Sequence, residues 1–247
     1  MRLGRLVLFI ESEPDLLLTP NTELGLINVS EVKTVLVDPG VPNKGETVAT
    51  RFKKLALLIK ETINLGIEKL YVVSVDVWEP RLNVKLFRQT MSRLRELRIP
   101  VDYEVILYIH GYKTNNELYS GVLNDGYDGV IIGITTLMNT LSYPRVVRCS
   151  EDFNYCAKDI EYALNAFSKV HFGGTGVKAL RAISNALNNP LNNTNHLTWL
   201  SADTMATRWR YDKSLAYKYV CKGSKLLATQ HREYVNAFLK KISTLNF

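Results

Sequence analysis

Few of the features that identify a protein class at once are present in this chain of 247 residues. Its three cysteines, Cys149, Cys156 and Cys221, have no C-x-x-C spacing, which argues against a disulfide framework or a cysteine-rich zinc site. None of its four histidines has the His-Glu spacing of a metalloenzyme. We therefore expect a reducing compartment, no metal site and no cofactor.

Long apolar runs are also absent. The longest, such as 5–10 and 70–77, are far shorter than the roughly 18 residues that a membrane span needs. The first residues lack the apolar core and cleavage site of a signal peptide. A P-loop, a Ser/His/Asp signature and a G-x-G-x-x-G after the first strand are missing as well. These absences predict a cytoplasmic protein with no membrane partner.

Positive charge is concentrated at one end of the chain. The formal net charge is +7, with 31 Lys and Arg against 24 Asp and Glu. Residues 201–247 hold nine of the basic and three of the acidic residues, which is +6 of that total. A basic end region predicts an acidic partner such as a nucleic acid. A solvated, Lys-rich terminal helix is the alternative interpretation.

Short β-branched runs alternate with longer amphipathic stretches, which is typical of repeated βα units and a mainly parallel sheet. The predicted strands are 5–10, 33–37, 70–75, 103–109, 129–134, 169–172 and 196–200. The predicted helices are 47–65, 82–98, 115–124, 153–168 and 177–187, each with apolar residues at spacings of three and four. The stretch 211–247 is predicted as one or two further helices, broken near Gly223.

Seven predicted strands are one fewer than a complete (β/α)8 barrel requires. We expect an α/β fold, with a TIM-like barrel over residues 1–210 that is irregular or incomplete. Its eighth strand is either 145–149 or missing. A basic helical segment over 211–247 would pack on the barrel. An open doubly wound sheet is the competing architecture, and the missing dinucleotide fingerprint counts against one version of it.

Three carboxylates follow predicted strands, at the end of parallel strands where functional groups collect. They are Asp38 in DPGVPN, Asp76 in SVDVWEP and Asp203 in LSADTMATR. Each has an ordinary alternative. Asp38 suits a turn, Asp76 suits a helix cap or a pair with Arg81, and Asp203 suits a helix cap. Their shared placement at one rim points to a site that uses carboxylates.

Glycines and a histidine occupy the same predicted rim. Gly133 begins the segment GITT, and Gly173 and Gly174 begin GGTG at the start of a helix. Glycine allows a ligand to approach the backbone, and helix amides can hold an anion, although glycine is also common in tight βα turns. His110 follows the predicted strand 103–109 as a candidate ligand-binding group, with a structural hydrogen bond as the alternative.

The ordered motifs resemble the tRNA-guanine transglycosylase superfamily, which includes the enzymes that insert 7-deazaguanine bases into DNA. Its members carry a DSGGF-type segment, an Asp-bearing strand, an IGG-type strand end, a MGVG-type turn and a D-x-x-x-P-T-R-like segment. The counterparts here follow in the same order as DPG at 38–40, VD at 75–76, IGIT at 132–135, HFGGTG at 171–176 and DTMATR at 203–208. They span most of the chain.

The resemblance implies a barrel enzyme that exchanges a guanine in a nucleic acid for a guanine-like base. Asp203 would be the nucleophile that attacks the sugar C1′, and Asp38 would be the general acid/base for the two bases. Asp76 and the backbone of Gly133 would bind the base edge. The full set of expected substrate-binding residues is Asp76, Gly133, Gly173, Gly174 and His110.

The resemblance implies that the substrate nucleic acid is either DNA or tRNA. The first motif has become DPGVP, and the family's Cys/His zinc site has no counterpart near the C-terminus. The basic residues next to the expected nucleophile would hold the phosphate backbone. Two other functions stay open: a barrel enzyme acting on a phosphorylated sugar, and an inactive nucleic-acid-binding descendant. The sequence also leaves open whether the protein forms a homodimer. The expected nucleic-acid-binding residues are Arg208, Arg210, Lys213 and Lys218.

Overall fold

A computed structural model describes residues 6–9, 16–20, 32–40, 42, 45–77, 80–110, 116–133, 153–175, 177–204, 220–222 and 225–226. The strands are β1 (Leu6–Phe9), β2 (Leu16–Leu18), β3 (Thr34–Val37), β4 (Lys69–Val73), β5 (Asp102–His110), β6 (Gly129–Gly133), β7 (Lys169–Thr175), β8 (Trp199–Thr204), β9 (Val220–Lys222) and β10 (Lys225–Leu226). The helices are α1 (Val48–Ile63), α2 (Pro80–Glu96), α3 (Asn116–Asn124), α4 (Phe153–Ala166) and α5 (Val177–Leu187).

Seven consecutive strands, β2 to β8, lie side by side in chain order and all run parallel. Helices α1–α5 connect the strands from β3 onward. Right-handed crossovers between strands in sequential order put these helices on one face and curl the sheet. The predicted α/β class is confirmed. Within the described residues the sheet is a half-barrel, compatible with an incomplete TIM-like barrel.

The two ends of the chain extend the sheet in a way that the sequence does not predict. β1, expected as the first parallel strand, runs antiparallel to β8. β9 pairs parallel with β1, and β10 pairs antiparallel with β9. The helix prediction is therefore wrong at 220–222 and 225–226, because pairing with a distant strand outweighs local preference. The remainder of 211–247 and the alternative strand 145–149 lie outside the described residues.

All five predicted helices are confirmed, with ends that differ by a few residues. Thr47 caps α1, since its side-chain oxygen accepts from the Thr50 amide at 3.2 Å. The buried stripe of α1 includes Phe52 and Leu55, at the predicted helical spacing. Among the helices that the structure describes, none has both the length and the apolar character to cross a membrane.

Both faces of the parallel sheet are buried, as parallel sheets require. Rows of Cα partners run across the strands, and the side chains in one row share a face. One row is entirely aliphatic and at most 3% exposed. It consists of Leu107, Val130, Val170 and Leu200.

The opposite face carries polar side chains at the next row. Tyr108, Ile131, His171 and Ser201 are Cα partners across β5–β8 and are all buried. His171 Nδ1 lies 2.8 Å from Ser201 Oγ, so these two buried polar groups hydrogen-bond each other. This row forms a partly polar layer that lies two residues before the ends of β5 and β6.

Replacing Ile131 with Ala should lower the free energy of unfolding by about 2–5 kcal/mol, because Ile131 is 1% exposed and the cavity would be lined by neighbouring strands. Urea unfolding measures the loss. Leu57→Ala, at a side chain that is 55% exposed on α1, should change stability by less than about 0.5 kcal/mol. Similar losses in both variants would contradict the assignment of Ile131 to the core.

Candidate functional site

Three of the predicted site residues lie next to one another near the ends of β5, β6 and β7. His110 and Gly133 are Cα partners, and so are Gly133 and Gly173. His110 and Gly133 are the last residues of their strands, whereas Gly173 lies inside β7. The register therefore brings these positions into one row at the rim of the sheet.

Asp203 extends this row onto β8. Ala202 is the partner of Phe172 and Thr204 is the partner of Thr175, with a register shift between the two pairs. The backbone of Asp203 therefore lies beside the Gly173–Gly174 segment. The sequence predicts a strand that ends at residue 200, with Asp203 in the following loop, but Asp203 lies within β8.

Pairing with β1 on the far side of β8 explains why this strand continues beyond its predicted end. Asp203 is the Cα partner of Val7 in the antiparallel strand β1, which lengthens the ladder beyond Leu200. Gly173 and Gly174 are likewise strand residues of β7, and not the turn that their sequence predicts. A strand position holds the backbone more firmly than a loop position would.

Gly133 makes room for a neighbouring side chain. A Cβ at this position would lie 2.6 Å from the Tyr108 hydroxyl oxygen and 3.1 Å from a ring carbon. The phenol of Tyr108, which is buried, thus extends from the lower row up to the row of His110 and Gly133. Glycine at position 133 therefore leaves room for the Tyr108 ring, in addition to its predicted role in binding.

Asp38 follows β3 directly and is 2% exposed. Its amide donates to the Leu18 carbonyl at 2.8 Å, and its Oδ1 accepts from the Gly40 amide at 2.7 Å. Gly40 has a φ of 79°, which favours glycine. Asp38 therefore has the geometry of an Asx turn, as the ordinary interpretation expects. Its acid/base role stays a prediction.

Arg51 is the centre of a buried ion cluster beside this turn. Its side chain is 1% exposed, and its Nη2 donates to the Gly40 carbonyl at 2.6 Å and to Asp76 Oδ1. Its Nη1 donates to Glu46 Oε2 at 3.3 Å. Lys54 Nζ contacts the other oxygen of Glu46. The side chains of Asp76 and Glu46 are 0% and 5% exposed, so the cluster is largely removed from water.

The segment that carries Asp76 is held by α2 and by β5. The Val75 amide donates to Thr90 Oγ1, and the Val77 amide donates to Asn83 Oδ1 at 2.6 Å. Asn83 in turn donates to the Tyr108 carbonyl at 3.4 Å. Because α2 begins at Pro80, Asp76 is too far from it to be its cap. The structure instead pairs Asp76 with Arg51.

The structure joins two of the three predicted carboxylates. Asp38 and Asp76 are linked through Gly40 and Arg51, whereas Asp203 lies on β8, four strands away from β4. Among the described residues, no three His, Cys, Asp or Glu side chains are grouped as ligands for a metal ion. The expected nucleic-acid-binding residues Arg208, Arg210, Lys213 and Lys218 lie outside the described residues.

Arg51 and Glu46 belong to the site but are not among the residues predicted from the sequence. A local signal for Arg51 does exist, because it falls on the buried stripe of α1 together with Phe52, Leu55 and Ile59. A charged residue on an apolar stripe needs a buried counter-ion. No comparable signal identifies Asp76 as that partner, since 25 residues separate the two in sequence.

Comparisons with known proteins identify no relative of this chain. No family model, no curated protein and no solved structure matches it. Functional assignment therefore depends on the site residues themselves.

Replacing Arg51 with Met should lower the free energy of unfolding by about 3–5 kcal/mol, because Asp76 and Glu46 would stay buried without their shared cation. Urea unfolding measures this loss. The matched control is Arg88→Met, which breaks the exposed pair between Arg88 and Asp125 and should cost less than about 1 kcal/mol. Equal losses in the two variants would contradict a structural contribution from the buried cluster.

Replacing Gly133 with Ala should destabilise the protein by about 1–3 kcal/mol, because the new methyl group would overlap the Tyr108 hydroxyl. Tyr108→Phe removes the closest atom, so the double variant should lose less stability than the sum of the two single variants. Thermal or urea unfolding of all four proteins measures this coupling. Strictly additive losses would show that Gly133 and Tyr108 are not packed together.

Proposed function

We propose that the chain is a nucleic-acid guanine transglycosylase, which exchanges a guanine for a guanine-like base by double displacement. One observation carries the proposal. The register brings His110, Gly133 and Gly173 into one row, with the backbone of Asp203 beside it on the next strand. Gly133, Gly173 and Asp203 belong to the last three motifs that resemble the transglycosylase superfamily, so these three motifs are neighbours at the rim.

In the first displacement, a carboxylate oxygen of Asp203 attacks the sugar C1′ and the bond from C1′ to the original base breaks. The departing base takes a proton from Asp38, and a covalent glycosyl-enzyme ester forms. In the second, a nitrogen of the incoming base loses its proton to Asp38 and attacks C1′, which releases Asp203. Two displacements divide one difficult substitution into two easier ones and retain the configuration at C1′.

Asp76 has the role of binding the base edge in this reaction. Guanine presents its N1–H and its exocyclic amine as donors, and an ionised carboxylate is an acceptor-only group. The Arg51 ion pair and the hydrogen bonds around Val75 and Val77 support this role, because they hold the segment in one position.

The glycines support the binding of a planar base. Gly133 and Gly173 are adjacent at the rim, and without side chains they let a ligand approach two strands closely. A base must leave the stack before its sugar carbon can be attacked, so the enzyme needs a pocket that accepts an extruded nucleotide. Basic residues between 208 and 218 would bind the flanking phosphates of DNA or tRNA.

Replacing Asp203 with Asn should abolish both base exchange and trapping of a covalent protein–nucleic acid adduct, because an amide is a poor nucleophile toward C1′. Incorporation of radiolabelled guanine into DNA or tRNA, with gel analysis of the adduct, measures both. Asp125→Asn, at an exposed ion pair, should keep the wild-type rate.

Two results would contradict the proposal. Exchange by Asp203→Asn at the wild-type rate would remove Asp203 as the nucleophile. No exchange by the wild-type protein on either nucleic acid, together with thermal stabilisation by small phosphosugars, would favour the phosphorylated-sugar alternative.

A further inference from the structure

A single nitrogen atom connects the two predicted catalytic loops. Arg51 Nη2 donates to the carbonyl of Gly40 and to the carboxylate of Asp76. The amide of Gly40 donates at 2.7 Å to Asp38 Oδ1. The turn after β3 and the segment after β4 therefore share one donor, and the position of each carboxylate depends on the guanidinium between them.

The guanidinium of Arg51 is also held at its other terminal nitrogen, Nη1. Glu46 accepts from Nη1 at 3.3 Å, and Lys54 contacts the second oxygen of Glu46 one turn along α1. Glu46 precedes the helix and is 5% exposed at its side chain. A planar group that is bound through both terminal nitrogens has little rotational freedom, so the plane of Arg51 is set by the fold.

Filling the space between β3, β4 and α1 does not require such a cluster. Well-packed apolar side chains in place of a buried ion pair are often neutral or stabilising. The other buried residues of the α1 stripe near Arg51, such as Phe52 and Leu55, are apolar. The cluster provides something that an apolar side chain cannot, which is a directional contact with two loops at once.

We infer that Arg51 is a positioning residue that sets the arrangement of Asp38 relative to Asp76 for base exchange. The inference rests on the proposed function, in which Asp38 transfers the proton and Asp76 binds the base. Arg51 acts through these two residues. A shift of about 1 Å in a reacting group can cost about 10²-fold in rate, so loss of this contact should affect catalysis strongly.

Arg51→Lys is the informative variant. Lysine keeps the positive charge but is a point charge, so it cannot reproduce the planar contact with Gly40, Asp76 and Glu46 together. We expect kcat/KM for base exchange to fall by about 10–100-fold, the KM for the incoming guanine to rise, and the pH profile of kcat/KM to change. Arg88→Lys, at the exposed pair with Asp125, is the matched control and should behave as wild type.

A double-mutant cycle separates positioning from general stability. If Arg51 acts largely through Asp76, then Arg51→Lys should have a much smaller effect on kcat/KM in an Asp76→Asn background than in the wild type. Glu46→Gln keeps the Arg51–Asp76 pair and weakens the other side of the guanidinium. Glu46→Gln should lower kcat/KM by a smaller factor than Arg51→Lys does. It serves as the test if Arg51→Lys does not fold.

The outcomes distinguish this inference from the proposed function. A wild-type protein that exchanges no base would overturn the proposed function and the inference with it. Exchange by the wild type, with an unchanged pH profile and kcat/KM in Arg51→Lys, would overturn the inference alone. So would full additivity of Arg51→Lys with Asp76→Asn, or, where only Glu46→Gln folds, wild-type kinetics in that variant.

Discussion

A guanidinium group that is cut off from water needs protein groups to compensate its charge, because burying an uncompensated ion costs several kcal/mol. Arg51 satisfies this requirement only when Gly40, Asp76 and Glu46 are all in place. The ion cluster therefore makes the ends of β3 and β4 depend on each other and on the start of α1. Movement of either loop would take an acceptor away from the buried guanidinium, so the cluster holds Asp38 and Asp76 in one arrangement at the rim.

The fold can be predicted from the sequence where the local pattern and the tertiary environment agree. Helices α1–α5 are predicted because spacings of three and four are a local property of the chain. Prediction fails where a distant strand decides the structure. β2 has only three residues, too few for a periodic signal, and β8 lies three to four residues beyond the predicted 196–200 because β1 pairs with its far edge. The strands within 211–247 depend on β1 in the same way.

The candidate site can likewise be predicted only where the local sequence decides the structure. Asp38 and Asp76 can be placed at the rim from sequence because β-branched runs show where β3 and β4 end. The bond partners of these carboxylates cannot be predicted, since Arg51 meets Asp76 only after α1 has packed on the sheet. Gly133 is a similar case. Its sequence context suggests close approach by a ligand, whereas the closeness of the Tyr108 phenol depends on the register between β5 and β6.

Charge compensation at the rim also bears on the proposed nucleic-acid substrate. Asp38, Asp76 and Glu46 alone would place three negative charges at the rim where the proposed polyanionic substrate would dock. Arg51 and Lys54 supply two positive charges within the same cluster, which leaves a formal charge of only −1 when all five groups are ionised. Phosphates of the proposed substrate would therefore be repelled only weakly at the site itself, and the +6 carried by residues 201–247 would dominate the long-range attraction. The buried arginine thus leaves the carboxylates of the proposed site almost fully compensated in charge.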